Sequence, residues 1–234
     1  KKIKLEIIEG ENLGVNESLK ELFLNCDINN NYFALSDQDD VWIDSKIQTA
    51  IEKIDKTNEN SLVMFASRSF VTDIDMNIKG KTEDPGSRAS YYNAMVQNVC
   101  SGHTQVFNRK VVEELKKNYS KDMFVIDWWI YLLVTALGEL VFERECTVKH
   151  RQHGKNSSGY ELNFLKKFKQ RIKKIVKYKK SPVSLQLKSF YDMYKYKMKK
   201  EYREETEKFL KNQRTIFRRI QYVLKSKAFR FGNL

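Results

Sequence analysis

The feature that most constrains this chain is an acidic segment that directly follows a short apolar run. Asp37, Asp39 and Asp40 lie within four residues, just after the apolar run 32–35. A run of this length predicts a buried strand, and open α/β sheets bind their ligands at the carboxyl ends of such strands. Carboxylates this close repel one another, and their oxygens suit Mg²⁺ or Mn²⁺. Two interpretations stay open here: a divalent-metal site, or a solvated acidic turn that caps the next helix.

Apolar periodicity divides the remaining chain into strands and helices. The predicted strands are 2–8, 32–36, 62–66, 96–107 (interrupted at 101–102) and 139–143, and the predicted helices are 16–26, 44–54, 109–118 and 127–137. The polar stretch 73–90 predicts a long loop. This order of elements predicts an α/β sheet with helices on both faces.

Charge divides the chain into two parts. The net charge is +13, but residues 160–234 carry 23 lysines and arginines against 6 acidic residues, whereas residues 1–159 are net acidic. Apolar residues recur at helical spacing in the basic part, which predicts amphipathic helices at 161–179, 185–212 and 213–228. Three roles stay open for this part: contact with a membrane surface, contact with nucleic-acid phosphates, or a bundle packed on the sheet. Membrane contact is favoured over nucleic acid because no known nucleic-acid-binding motif is present.

Cysteine usage and hydropathy indicate the compartment. The three cysteines are widely spaced in apolar surroundings, which predicts reduced core residues of a cytoplasmic protein and no zinc site. No apolar run reaches the roughly 18 residues that a membrane span needs. The first residues resemble a short strand, so we expect no signal peptide there.

Several motifs, in this order, resemble those of family 2 glycosyltransferases, especially the rhamnosyltransferase-like members that build bacterial surface polysaccharides. They are Asn12-Leu13-Gly14, the SDQDDVW segment of Ser36–Trp42 with Lys46, Gly102, Asp127-Trp128-Trp129, and Arg151-Gln152-His153-Gly154 with Asn156 and Gly159. The resemblance implies a partial GT-A domain, with a Rossmann-like mixed sheet and flanking helices, at 1–159. A basic α-helical extension follows at 160–234. The family's nucleotide-binding first strand is expected upstream of Lys1, so this chain is expected to lack it.

The resemblance also implies an activity: a metal-dependent, inverting transferase of cell-surface polysaccharide synthesis. It would move a sugar, with rhamnose as one candidate, from a nucleotide-sugar to a glycan or lipid-linked acceptor. Asp37 and Asp39 match the DxD motif that holds Mg²⁺ or Mn²⁺ on the donor diphosphate. Asp40 is a third carboxylate that orients the other two or caps the next helix.

The remaining site residues are implied in the same way. Asp127 matches the catalytic base, with an N-cap as the alternative, and its place at a helix start is expected to lower its pKa. Gly102 and Arg151 match positions expected to bind the donor. His153 matches a late metal or phosphate ligand, with a surface histidine as the alternative.

The partners implied are the donor, the acceptor and a peripheral membrane contact through residues 160–234, without specific nucleic acid. The expected location is the cytoplasm, at the inner face of the cell membrane. The alternative is a truncated, non-catalytic member of the family that acts as a membrane-surface or partner-binding module.

Overall fold

The computed structural model of the chain describes residues 4–12, 14–152, 181–213 and 215–231. Within these ranges the strands are β1 (Tyr32–Ala34), β2 (Val41–Trp42), β3 (Val63–Thr72), β4 (Ile78–Lys81), β5 (Val106–Asn108) and β6 (Glu139–Arg151). The helices are α1 (Val15–Asn25), α2 (Lys46–Ile54), α3 (Tyr91–Ala94), α4 (Arg109–Lys117), α5 (Ile126–Leu137), α6 (Pro182–Tyr194), α7 (Lys200–Lys211) and α8 (Ile216–Lys225). The described strands form one sheet in the order β1-β5-β3-β6-β2, and β4 pairs with β3.

Strands β1, β3 and β6 run in the same direction. β3 and β6 pair in parallel, and β5 is antiparallel to both β1 and β3, which makes β1 parallel to β3. β2 pairs antiparallel with the end of β6 at Val148 and Lys149. The carboxyl ends of β1, β3 and β6 therefore meet at one edge of the sheet, where ligands bind in folds of this kind.

Helix α5 is apolar on nearly all sides and lies buried against the sheet. It ends at Gly138, where a Cβ atom would lie 2.0 Å from the carbonyl oxygen of Leu62. This close approach requires glycine and turns the chain directly from α5 into β6. Asp127 lies in the first turn of the same helix, so a well-packed element positions it.

Helices α6 and α7 pack on the body of the domain. Leu187, Phe190 and Phe209 belong to the same buried cluster as Trp129 of α5. The rings of Trp129 and Phe190 lie edge to face, with centroids 5.3 Å apart. The predicted boundary between residues 159 and 160 lies outside the described residues.

The prediction of an α/β fold with a mixed sheet and flanking helices is confirmed, and the arrangement fits a GT-A-like fold. The helices predicted before residue 150 are found with ends shifted by no more than a few residues. Among the predicted tail helices, 185–212 proves to be two helices, α6 and α7, while 161–179 lies outside the described residues. No described helix is both long and apolar enough to cross a bilayer.

Several predicted strands need correction. The strand expected at 2–8 is wrong for residues 4–8, which are exposed and pair with no described strand. The strand expected at 96–107 shrinks to β5, because a 3₁₀ turn occupies Gly102–Thr104.

Pairing lengthens or adds other strands. β3 and β6 extend well beyond the predicted 62–66 and 139–143, because each gives the other a parallel partner as far as Thr72 and Arg151. The predicted loop 73–90 contains β4, which pairs with the end of β3.

Candidate active site

Four side chains that could hold a metal ion meet at the carboxyl edge of the sheet. One ligand atom from each of Asp37, Asp40, His103 and His150 lies within 4.8 Å of the others. The two aspartates follow β1, His103 precedes β5, and His150 lies near the end of β6. The shared direction of β1 and β6 brings these distant parts of the sequence together. We call these four residues the acid–histidine cluster.

Asp40 is the buried centre of this cluster. Its side chain is 0% exposed, and its two carboxylate oxygens lie 2.9 and 3.0 Å from Nδ1 of His150. The backbone N–H of Arg151 donates to Asp40 Oδ1 at 3.0 Å. The hydrogen bond that Asp40 accepts from the His150 ring raises the pKa of His150, because the carboxylate favours the charged imidazolium. Asp40 thus ties the acidic turn to the end of β6.

The ring of His103 is buried and stacks on the ring of His150. Their centroids lie 4.5 Å apart and their planes are 7° from parallel. Nε2 of His103 lies 2.8 Å from Ser69 Oγ, which fixes the ring from β3. Nδ1 then faces one carboxylate oxygen each of Asp37 and Asp40, both at 3.6 Å. The contact with His103 lowers the pKa of Asp37.

A fully buried lysine lies beneath the cluster. Lys46 is 0% exposed, and its Nζ donates to the carbonyl oxygen of His103 at 2.7 Å. The same ammonium lies 3.7 Å from the ring centroid of Trp42, a cation–π contact. Burial lowers the pKa of Lys46 to about 7, although Asp40 and Asp37 partly offset this. Lys46 is therefore an internal counter-charge for the two aspartates.

Asp127 turns its carboxylate towards the turn before β5. The backbone N–H of Gly102 donates to Asp127 Oδ2 at 2.8 Å. The residue as a whole is half-buried, but Oδ1 is shielded from solvent and has no hydrogen-bond partner within the described ranges. Burial of the carboxylate raises the pKa of Asp127, and the N–H groups of Gly102 and Trp128 offset this only in part. The expected lowering by the helix start is therefore wrong, because desolvation outweighs it.

Side chains from both ends of the chain hold the segment before Asp127. Asn16 of α1 donates to the carbonyl oxygen of Phe124 at 2.8 Å. Gln186 of α6 is fully buried, and its Oε1 accepts from the N–H groups of Phe124 and Val125 at 2.8 and 3.2 Å. The first helix after residue 181 is thus part of the scaffold that positions Asp127.

One cavity of about 690 Å³ connects Asp127 with the cluster. Sites for small molecules and cofactors are commonly of this size. The residues that line it include Leu19, Leu35, Ser36, Asp37, Val71, Asn98, Gly102, His103, Asp127, Trp128, His150 and Gln152. The lining therefore combines titratable groups with apolar side chains.

Asp37, Gly102 and Asp127 thus line one cavity. Asp39 and Arg151, which the sequence also predicted for the site, do not line it. Asp39 does not contribute to the acid–histidine cluster, and its backbone carbonyl accepts from Nε of Arg151 at 3.0 Å. Nη1 of Arg151 also donates to the carbonyl of Ile74 at 2.8 Å. The Arg151 side chain therefore braces the acidic turn against the loop after β3. His153 lies outside the described residues.

Sequence reasoning missed His103, His150 and the burial of Lys46. Neither histidine forms a metal-binding spacing with another residue, so no local motif identifies it. The strand predicted at 139–143 stops before His150, and the burial of β6 does not alternate around it, so the sequence carried no signal for this histidine. The pairing of β6 with β3 and β2 is what brings His150 to the acidic turn.

No protein-family model matches the chain. The chain is 26% identical over 165 residues to the curated dTDP-rhamnosyl transferase RfbG of Shigella flexneri, an alignment that covers 67% of this chain and 55% of that protein. The chain thus spans about half the length of the curated relative that it matches. This distant relative is a glycosyltransferase, the class that the sequence motifs resemble, whereas membership of family 2 stays a prediction.

Proposed function

We propose that this chain acts as a glycosyltransferase that moves a sugar from a nucleotide-sugar to a glycan or lipid-linked acceptor in cell-surface polysaccharide synthesis. The observation that carries the proposal is one cavity lined both by Asp127 and by members of the acid–histidine cluster. The relative of Shigella flexneri supports the sugar-transfer chemistry. Its name makes dTDP-rhamnose the first donor to test.

The acid–histidine cluster is the proposed metal site. Two carboxylates and two imidazoles with ligand atoms within 4.8 Å form a donor set that fits a divalent ion. The imidazole nitrogens favour Mn²⁺ over Mg²⁺. When bound, the ion would supply positive charge that offsets the charge on the leaving nucleoside diphosphate. Asp39 and His153 stay candidate ligands through the family resemblance alone.

Asp127 is the proposed general base of an inverting displacement. Its carboxylate takes the proton of the acceptor hydroxyl while that oxygen forms a bond to the anomeric carbon. The bond from the anomeric carbon to the diphosphate oxygen breaks on the opposite face. General-base help of this kind is typically worth about 10²–10⁴ in rate. The raised pKa of Asp127 supports this role, because it makes the carboxylate a stronger base.

Binding and turnover test the two roles separately. Calorimetric titration of the full chain with dTDP should show binding that requires Mn²⁺, and Asp37→Asn should weaken it about tenfold or more. Asp127→Asn should keep this binding and lose the release of dTDP from dTDP-rhamnose. Binding of equal strength without metal would contradict the metal site. Full turnover in Asp127→Asn would contradict the base.

A second candidate is a non-catalytic module that binds a membrane surface or a partner through residues 160–234. The strong positive charge of that part supports it. Under either candidate we propose a cytoplasmic protein in peripheral contact with the inner face of the cell membrane, without a role in specific nucleic-acid recognition. Vesicle binding by a chain that neither binds nor turns over a nucleotide-sugar would favour this second candidate.

A further inference from the structure

Helix α8 exposes a row of large apolar side chains. Phe217 is 69% exposed, Ile220 55%, Val223 72% and Leu224 79%. Surface residues of this kind are unremarkable when scattered, but a contiguous apolar patch on a soluble domain marks an interaction site. We call these four residues the α8 ridge.

The ridge points away from the protein body. Tyr222 is the residue of α8 that faces the body, and its hydroxyl donates to Oε1 of Glu205 at 2.8 Å. At about 100° per residue, Phe217, Ile220 and Leu224 lie roughly 140–160° around the helix axis from Tyr222. The contact that holds the helix and the apolar ridge are thus on opposite sides.

The helix is held in place rather than loosely attached. Glu205 is buried in α7, and the same Oε1 also accepts from the Ser226 hydroxyl at 2.8 Å and from the Lys227 N–H at 3.2 Å. The ring of Tyr222 packs edge to face on Phe209, with centroids 5.6 Å apart. The ridge is therefore a preformed surface.

The charges of α8 identify the kind of partner. Arg218, Arg219 and Lys225 are its charged residues, and its sequence IFRRIQYVLK contains no acid. In α6 and α7, by contrast, apolar residues such as Leu187 and Phe209 are buried in the core. By the same 100° per residue, the three cations of α8 lie about 40–60° around the axis from Tyr222, on the side of the helix away from the ridge. A helix with an apolar face and cations on its opposite face is typical of the interface of an anionic membrane.

We infer that α8 lies flat on a lipid surface rich in anionic headgroups, with the α8 ridge inserted at the boundary between headgroups and acyl chains. This inference narrows the membrane contact of the proposed function to one helix. The inference depends on the proposed membrane contact and not on the proposed sugar transfer.

Vesicle co-sedimentation of the full chain tests the ridge. The wild type should bind vesicles of phosphatidylcholine and phosphatidylglycerol, and Phe217→Gln/Leu224→Gln should bind about tenfold more weakly or worse. The matched control is Ile74→Gln/Ile78→Gln, which removes two exposed apolar side chains elsewhere on the surface. The control should bind like the wild type.

The cations are tested with Arg218→Gln/Lys225→Gln, which should weaken binding to the anionic vesicles about tenfold. Wild-type strength in both α8 double variants would overturn the α8 inference and leave the membrane contact to other residues of the extension. If the wild type does not bind the vesicles, both the α8 inference and the proposed membrane contact are overturned. A wild-type dimer without vesicles that Phe217→Gln/Leu224→Gln converts to a monomer would also overturn the inference, because the ridge would then be an interface between two copies.

Discussion

Replacing Asp127 by asparagine should strongly lower turnover and at the same time stabilise the fold. The asparagine oxygen can still accept the hydrogen bond that Gly102 donates to Oδ2 at 2.8 Å. The change removes a negative charge whose other oxygen, Oδ1, is shielded and has no partner in the described part of the chain. A group kept in such a place serves chemistry at the expense of stability.

The two effects have different sizes. Loss of a general base lowers the rate about 10²–10⁴-fold. Relief of a poorly solvated charge should raise the free energy of unfolding by about 1 kcal/mol, the low end of the usual range, because the residue is half-buried. For a chain of this size that corresponds to an increase in Tm of about 2–4 °C.

The stability gain should depend on pH with a definite sign. The pKa of Asp127 is raised in the folded state, so the unfolded chain holds this charge more readily, and ionisation of Asp127 destabilises the fold above its folded pKa. Below the ordinary aspartate pKa of about 3.9 the group is protonated in both states. The gain in stability from Asp127→Asn should thus be present at neutral pH. It should vanish as the pH falls from the raised folded pKa to the ordinary value of about 3.9.

Thermal melts of the wild type and Asp127→Asn between neutral and acidic pH, together with dTDP release, measure all three effects. Asp122→Asn is the control, since it removes an exposed carboxylate only five residues away. It should leave both stability and turnover unchanged. A lower Tm for Asp127→Asn at neutral pH would refute the reasoning, because the charge would then be stabilising where it lies.

Three further changes should affect the fold or the site in distinct ways. Gly138→Ala should destabilise by more than about 3 kcal/mol, since its Cβ would lie 2.0 Å from the carbonyl of Leu62; urea unfolding measures this. Gln186→Leu should cost about 2–4 kcal/mol by orphaning two backbone N–H groups, and should lower kcat because those groups lie just before Asp127. Lys46→Met should lower the free energy of unfolding in urea by about 1–3 kcal/mol, because it removes the buried ammonium that donates to the carbonyl oxygen of His103 and lies near the buried Asp40 carboxylate.

Each of these has a matched control of the same chemistry. Gly10→Ala meets nothing within 4 Å, and Gln48→Leu and Lys56→Met change exposed side chains. All three should leave the free energy of unfolding within about 0.5 kcal/mol of the wild type. Equal stability of a test variant and its control would show that the corresponding contact contributes nothing.

The sequence predicted the part of the site that is local. The acidic turn follows an apolar strand, and Asp127 starts a strongly apolar helix, so chain order alone indicates where both lie. His103 and His150 could not be found in this way, because their role depends on pairing between β3 and β6 and on the Ser69 hydroxyl. Such contacts join residues far apart in sequence, and no spacing rule encodes them.

The same limit applies to the C-terminal helices. Helical spacing predicted α8, and it predicted α6 and α7 as one helix, but periodicity does not say what an apolar face contacts. α6 and α7 use theirs for the core, whereas α8 leaves its ridge exposed. The buried Gln186 shows why the distinction matters, since a helix that resembles an appendage in sequence supports the segment before Asp127.

The turn between β1 and β2 joins the two outer strands of the sheet order, four strand spacings apart. Across a flat sheet four spacings amount to about 19 Å. Ala34 is level with Phe65 of β3 and Val41 with Phe70, which adds about 17 Å along the strands and makes the direct separation about 25 Å. The seven steps from Ala34 to Val41 reach at most about 25 Å. The connection between β1 and β2 therefore has almost no spare length. Over evolutionary time the exposed Gln38 is free to vary, but a deletion in this segment would pull Asp37 and Asp40 off the sheet edge. We therefore expect its length to be preserved as strictly as those two carboxylates.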